Sequence, residues 1–184
     1  MSQSDTKKRL INSAVKLFSK NGYFNTKVSD IVKDAGVAQG TFYLYFKSKE
    51  EIFIYIVEEI VRKIKQQTEK FSKGDWPADE KLKNFASSVF HLLSEYKEVA
   101  KIYFFYLLCT DEKFQKIHFE AEQMFKSFYL DVLKSYEDKE LLTDILLGFG
   151  KRLFEINFLR DQKPIEEVIK EFEEGLKLIL RKEK

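Results

Sequence analysis

Glycine, proline and cysteine are scarce in this sequence, and each shortage excludes a class of protein. Seven glycines and two prolines among 184 residues leave few positions for tight turns, which favours long helices over a β-rich fold. The single cysteine, Cys109, cannot form an internal disulfide, and this is typical of a reducing compartment. We therefore predict an all-α protein located in the cytoplasm.

Long hydrophobic runs are also absent. The longest wholly apolar run extends over eight residues, from Ile102 to Cys109, whereas a membrane-spanning helix needs about 18 to 20. The first residues lead into an amphipathic segment rather than into the apolar core of a signal peptide. We expect no contact with a membrane.

Residues that could support catalysis do not form a recognisable pattern. His91 and His118 are 27 positions apart, and no cysteine or carboxylate stands at the spacing of a metal site. Glycine-rich phosphate loops and the G-x-S-x-G motif of hydrolases do not occur. We predict that the protein is not an enzyme and that it requires no metal or cofactor.

Charge is distributed unevenly along the chain. The net charge of the whole sequence is +2, but the first 50 residues carry nine basic and four acidic side chains, which leaves the remainder at a net −3. A basic N-terminal quarter on a mildly acidic body favours binding of a polyanion. Basic solvated surfaces are common, so charge by itself does not decide whether that polyanion is a nucleic acid.

Apolar residues recur at helical spacing along the chain and predict nine helices. Three of them occupy residues 5–46, and the second and third are short and separated by Gly36. Ser48 and Glu51 have the spacing of a capping box, which predicts a long helix from there to about residue 72. Further helices are expected near residues 79–95, 98–109, 112–135, 139–160 and 164–181.

Two short helices joined at a glycine turn predict a helix-turn-helix, whose second helix enters the major groove of DNA. The outward positions of that helix carry a glutamine that can bond an adenine edge, and threonine and leucine side chains that can contact a thymine methyl. They are Gln39, Gly40, Tyr43 and Leu44, flanked by Thr41. Packing within a helical hairpin is the alternative role for Tyr43 and Tyr45. Candidate phosphate contacts are Lys7, Lys8, Lys27 and Lys49.

Three segments together resemble the N-terminal signature of the tetracycline-repressor (TetR) family of bacterial and archaeal transcriptional regulators. They are residues 26–32 (TKVSDIV), 35–46 (AGVAQGTFYLYF) and 47–52 (KSKEEI). The resemblance implies a DNA-binding unit over residues 1–47 and a ligand-binding and dimerisation unit over 48–184, in which residues 48–72 form a linker helix. It implies DNA contacts from Lys27, Ser29, Gln39, Gly40, Thr41, Tyr43, Leu44, Tyr45 and Lys49.

Two of these positions depart from the usual pattern of the family. Lys27 stands where a threonine often caps the second helix, so that cap is in question, although a lysine can still contact a phosphate. Tyr45 stands where histidine is common, and its hydroxyl can also reach a phosphate.

Aromatic residues are concentrated between positions 85 and 128, where 11 of 44 residues are phenylalanine or tyrosine. This predicts either plain core packing or a pocket for an elongated apolar or aromatic effector. The candidate wall residues are Tyr103, Phe104, Phe119, Phe125 and Phe149.

The last two predicted helices offer more apolar surface than one body needs to cover. Gly148 and Gly150 lie within the helix over 139–160, where glycine costs about 1 kcal/mol against alanine and so indicates close approach of another helix or of a ligand. We expect a homodimer formed through residues 139–160 and 164–181.

These features predict a ligand-responsive repressor that binds double-stranded DNA at a palindromic operator and is released by a small effector. The linker helix is the expected lever, because Ile60, Val61 and Ile64 face the body. The alternative is an all-α carrier of apolar small molecules without specific DNA binding.

Overall fold

A computed structural model describes residues 3–107 and 112–180 of the chain. Over these residues the structure contains nine α-helices and no strand, which confirms the all-α class. The α-helices are α1 (Gln3–Asn21), α2 (Val28–Ala35), α3 (Gln39–Tyr43), α4 (Lys49–Lys73), α5 (Ala78–Glu95), α6 (Lys97–Ile102), α7 (Glu112–Val132), α8 (Lys139–Arg152) and α9 (Ile165–Ile179). Cys109 and the helix break expected at 110–111 lie outside the described residues.

The first three helices form a small unit, called the head below, while α4 to α9 form the body. Because α2 and α3 have only eight and five residues, they are unstable in isolation and depend on packing. Phe18, Ile31 and Phe42 are completely buried between the three helices. The head therefore exists as a unit through its core and not through helix propensity.

A left-handed glycine makes the turn between α2 and α3. Gly36 ends α2 with φ 63° and ψ 42°, a conformation that costs glycine little. The guanidinium of Arg9 on α1 donates hydrogen bonds to the carbonyl oxygens of Ala35 and Gly36. The positive φ at Gly36 is the reason that this turn requires glycine.

Helix caps in the head differ in detail from the predicted ones. The side chain of Lys27 does not cap α2; instead, the Asp30 carboxylate accepts a hydrogen bond of 2.9 Å from the Lys27 N–H. At the start of α4, Ser48 Oγ accepts from the Glu51 N–H at 3.1 Å as predicted. The Glu51 carboxylate accepts from the N–H of Lys47 rather than from that of Ser48, so it caps the preceding turn.

Two helices predicted as continuous α-helices change to π-helical geometry near their ends. The segment π1 (Tyr103–Leu107) continues α6, and π2 (Leu153–Arg160) continues α8. The rings of Phe104 and Phe154, one from each segment, pack edge to face with centroids 6.1 Å apart. π-Helical turns are rare in proteins, but those that do occur are often found at functional sites. Sequence periodicity over so few residues does not reveal them.

The two last α-helices pack closely at one glycine. α9 lies against α5 and α8, and the ring of Phe149 on α8 stands over Gly175 on α9, where a Cβ would overlap the ring. Phe149 also stacks on Phe172, with centroids 5.9 Å apart and planes 16° apart. Gly175 thus permits the close approach of α9 to α8.

We expect Gly175→Val to lower the free energy of unfolding by about 1–3 kcal/mol, because the added side chain overpacks this contact. Lys177→Val places the same β-branched residue at an exposed position of α9 and serves as the matched control. Urea denaturation of both variants measures the difference. Equal stability of the two variants would contradict the proposed close contact.

Candidate functional site

The outer face of α3 is exposed to solvent. Gln39, Gly40, Tyr43 and Leu44 are all exposed, and Leu44 has 81% of its surface open to solvent. Phe42, on the opposite side of α3, is buried and holds the helix against the head, with its ring 5.5 Å from that of Tyr43. The helix is therefore fixed from behind and presents a side-chain surface outward.

The remaining residues expected at DNA surround this face unequally. Lys27 and Ser29, at the start of α2, are exposed, whereas Thr41 and Tyr45 are half-buried. Thr41 can offer only part of its side chain to a ligand, and Tyr45 lies beside α1 and α4 in a second concavity of the molecule.

Lys49 has a different environment from the one the resemblance implied. Its ammonium donates a hydrogen bond of 2.6 Å to the Tyr23 carbonyl oxygen and lies 4.3 Å from the centre of the Tyr23 ring. Burial lowers the pKa of this amine. In the structure Lys49 links the start of α4 to the loop after α1.

A cavity of about 600 Å³ lies inside the body. Three of the five predicted wall residues line it: Tyr103 and Phe104 from π1, and Phe125 from α7. The linker helix contributes the three residues predicted to face the body, Ile60, Val61 and Ile64, and α5 contributes further apolar walls, including Phe85, Val89 and Phe90. The volume is in the range of pockets for small organic ligands.

Two predicted wall residues do not line the cavity. Phe119 points outward from α7 with 61% of its surface exposed. Phe149 packs instead against Phe172 and Gly175 between α8 and α9. Helical spacing alone does not tell which side of α7 or α8 faces inward, because both helices carry apolar residues on more than one face.

Charged and amide side chains line the edge of the cavity where α7 faces α8 and π2. They are His118, Glu122, Gln123, Lys126, Asp144, Lys151 and Glu155. Lys126 and Asp144 form an ion pair of 3.1 Å across the two helices. Burial, together with the charge of Lys151, lowers the pKa of His118, and burial raises the pKa of Glu155. The cavity is therefore amphipathic, with apolar walls and one charged edge.

A chain of aromatic contacts connects the cavity to the head. The ring of Tyr103 packs on Phe114 at 6.0 Å, Phe114 packs on Phe53 of α4 at 5.9 Å, and Phe53 packs on Tyr23 of the head at 5.0 Å. A second contact joins Tyr106 of π1 to Phe24 in the loop after α1, with centroids 5.8 Å apart. The sequence pattern does not reveal these contacts, because the residues are far apart in the chain.

Both the N-terminal and the C-terminal part of the chain match known protein families. Residues 10–56 match the family described as bacterial regulatory proteins of the tetR family. Residues 80–179 match a tetracyclin repressor-like C-terminal domain. The chain is also 32% identical over 163 residues to YdgC of Bacillus subtilis, an uncharacterised HTH-type transcriptional regulator, over 82% of this chain and 80% of that protein.

The chain belongs to the TetR family. Among solved structures, a transcriptional regulator of Aquifex aeolicus VF5 described as TerR/AcrR family is 31% identical, with a TM-score of 0.79 over 95% of this chain and 99% of that one. The regulator FadR of Bacillus subtilis, solved in complex with stearoyl-CoA, is 27% identical, with a TM-score of 0.75 over 94% of this chain and 96% of that one.

Membership of the TetR family makes the chain a DNA-binding transcriptional regulator and not an enzyme. Family membership therefore argues against the alternative of a small-molecule carrier without DNA binding. Along the described ranges, no helix combines the length and the hydropathy that crossing a membrane demands.

Proposed function

We propose that this TetR-family protein represses transcription as a homodimer bound to a palindromic operator, and that an apolar effector in the cavity releases it. The observation that carries the proposal is the aromatic chain from Tyr103 in the cavity wall through Phe114 to Phe53 at the start of α4. Because Phe53 also packs on Tyr23, movement of the cavity wall is transmitted to the head.

The outer face of α3 is the proposed base-reading surface. Gln39 and Tyr43 are exposed there, and Gly40 leaves room for the helix backbone to approach the groove. The exposed Lys27 and Ser29 at the start of α2 are placed to contact phosphates. Thr41, Leu44, Tyr45 and Lys49 complete the proposed contact set, and Lys49 also holds α4 to the head.

Replacement of Gln39 or Tyr43 by alanine should weaken operator binding by about 1–3 kcal/mol and relax sequence preference. Lys27→Ala should weaken binding to all duplexes alike and lower the salt slope by about one. Footprinting of operators selected from genomic fragments provides the measurement, and Gln66→Ala, an exposed change on α4, is the control. Preference for the selected operator below about 10³-fold over random DNA would refute specific binding.

An apolar patch on α8 and α9 is the proposed dimer surface. Leu141 and Leu178 have 60% and 67% of their surfaces exposed, and Ile145 has 43% of its surface exposed. Gly148, a candidate for this interface from the sequence, lines the cavity of the body instead. Phe172 is fully covered within the chain and belongs to the core.

Sedimentation should show a dimer at micromolar concentration without DNA. We expect Ile145→Lys to shift the equilibrium toward monomer and to weaken operator binding, because it buries a charge in the interface. Gln66→Lys adds the same charge to an exposed position of α4 and should leave the dimer intact. A wild-type monomer, or equal dissociation of both variants, would contradict this interface.

The proposed effector is an amphiphile with an extended apolar chain. About 600 Å³ of space with apolar walls accommodates such a chain, and the charged edge between α7 and α8 accommodates a polar end. FadR, which has stearoyl-CoA in its solved structure, shares the fold over nearly the whole chain. A saturated acyl chain is therefore the first probe to use.

Effector and operator should weaken each other's binding by the same factor, because the coupling free energy is reciprocal. A 10²- to 10³-fold loss of operator affinity corresponds to about 2.7–4 kcal/mol of preference for the released conformation. Titration of stearoyl-CoA and stearate into the protein, with and without saturating operator, measures this factor. An acyl ligand whose affinity is unchanged by operator would not be an effector.

Phe114→Leu tests the aromatic chain directly. The substitution removes the ring contacts to Tyr103 and Phe53 while keeping an apolar side chain. Acyl binding should therefore persist, whereas the factor by which operator and acyl ligand weaken each other's binding should fall by about tenfold. Phe119→Leu makes the same change at the exposed position of α7 and should alter neither quantity. Full coupling in Phe114→Leu would show that the signal takes another route.

A further inference from the structure

A second concavity of about 530 Å³ lies where the head meets the body, separate from the cavity described above. One wall is a stripe of α1 that includes Lys7 and Lys8, and the facing wall is a stripe of α4 that includes Tyr55 and Lys63. Tyr96, at the end of α5, closes the side toward the body. We call this concavity the junction groove.

The junction groove is positively charged. It contains three lysines, Lys7, Lys8 and Lys63, and one carboxylate, that of Glu59. The Glu59 carboxylate is already bonded to the guanidinium of Arg62. Among the described residues, no carboxylate forms an ion pair within 4 Å with any of the three lysines.

Aromatic and hydroxyl groups hold two of these cations in place. The Lys7 ammonium stands 3.9 Å from the centre of the Tyr55 ring. The Lys63 ammonium donates a hydrogen bond of 2.9 Å to the Tyr96 hydroxyl. Each side chain is therefore positioned on its wall while its charge lacks an anion, and this arrangement favours an anionic ligand over an apolar one.

We propose that the junction groove binds a free polyphosphate-bearing solute of about nucleotide size. Lysine ammonium groups are common phosphate ligands, and a volume of 530 Å³ falls in the range for organic ligands and greatly exceeds the space of one phosphate. A chain of phosphates carries several anionic groups, so it can engage more of these lysines than a single phosphate can.

The position of Lys63 favours a free solute over the DNA backbone. Lys63 follows Lys49 by 14 residues on α4, which is about 21 Å along the helix axis and away from the base-reading face of α3. Its partner Tyr96 belongs to the body. A solute that contacts Lys63 and Lys7 joins the head to the body. It would act as a second regulatory ligand, in addition to the effector in the apolar cavity.

Calorimetric titration of the full chain without DNA, at 150 mM salt, tests the proposal with inorganic tripolyphosphate and ATP as probes. Lys7→Gln and Lys63→Gln should each weaken the binding of both probes at least fivefold, and inorganic phosphate should bind at least tenfold more weakly than tripolyphosphate. Lys20→Gln removes an exposed lysine of α1 outside the groove and should change affinity less than twofold. If Lys63→Gln does not fold, Lys8→Gln replaces it and should likewise weaken the binding of both probes.

Three results would overturn the proposal. Failure of both probes to bind would exclude the site, and an equal loss in Lys20→Gln would show general attraction of anions to the basic head. If Lys63→Gln weakens binding to all DNA duplexes and lowers the salt slope by about one, the lysine serves the DNA backbone. Operator binding by the wild type is measured separately, so these failures leave the repressor proposal standing.

Discussion

The packing of Phe53 is the contact on which the arrangement of the two parts depends. This side chain is completely buried at the start of α4, where it contacts Phe18 and Tyr23 of the head and Phe114 of the body. The head alone has two helices too short to be stable, so α4 supplies part of its core. The same side chain belongs to the body, and neither part can shift without disturbing this contact.

The two π-helical segments contribute side chains to the wall of the cavity. Tyr103 and Phe104 belong to π1, and Phe154 and Glu155 belong to π2, and all four line the cavity. A π-turn widens the helix and alters the direction of the side chains that follow. Part of the aromatic wall, and Glu155 of the charged edge, therefore stand on segments that depart from α-helical geometry.

The local chemistry of the sequence predicted the head well. Gly36 marked the turn, Ser48 marked the start of α4, and the outward positions of α3 proved to be exposed. Each of these features depends on residues within a few positions of one another, where the spacing itself determines the geometry. The anchoring of the turn by Arg9 and the bonding of Lys49 to the Tyr23 carbonyl join residues 26 positions apart, and no local pattern reveals them.

The sequence by itself determined the helical class, the helix-turn-helix and the family, because scarce turn residues, helical periodicity and a contiguous motif are local properties. Only the tertiary structure decided which aromatic residues form the cavity, since Phe119 and Phe125 share one helix and differ in the direction they face. It also decided that three lysines from α1 and α4 line one groove. Such groupings arise from helix packing, which brings together side chains that the sequence keeps far apart.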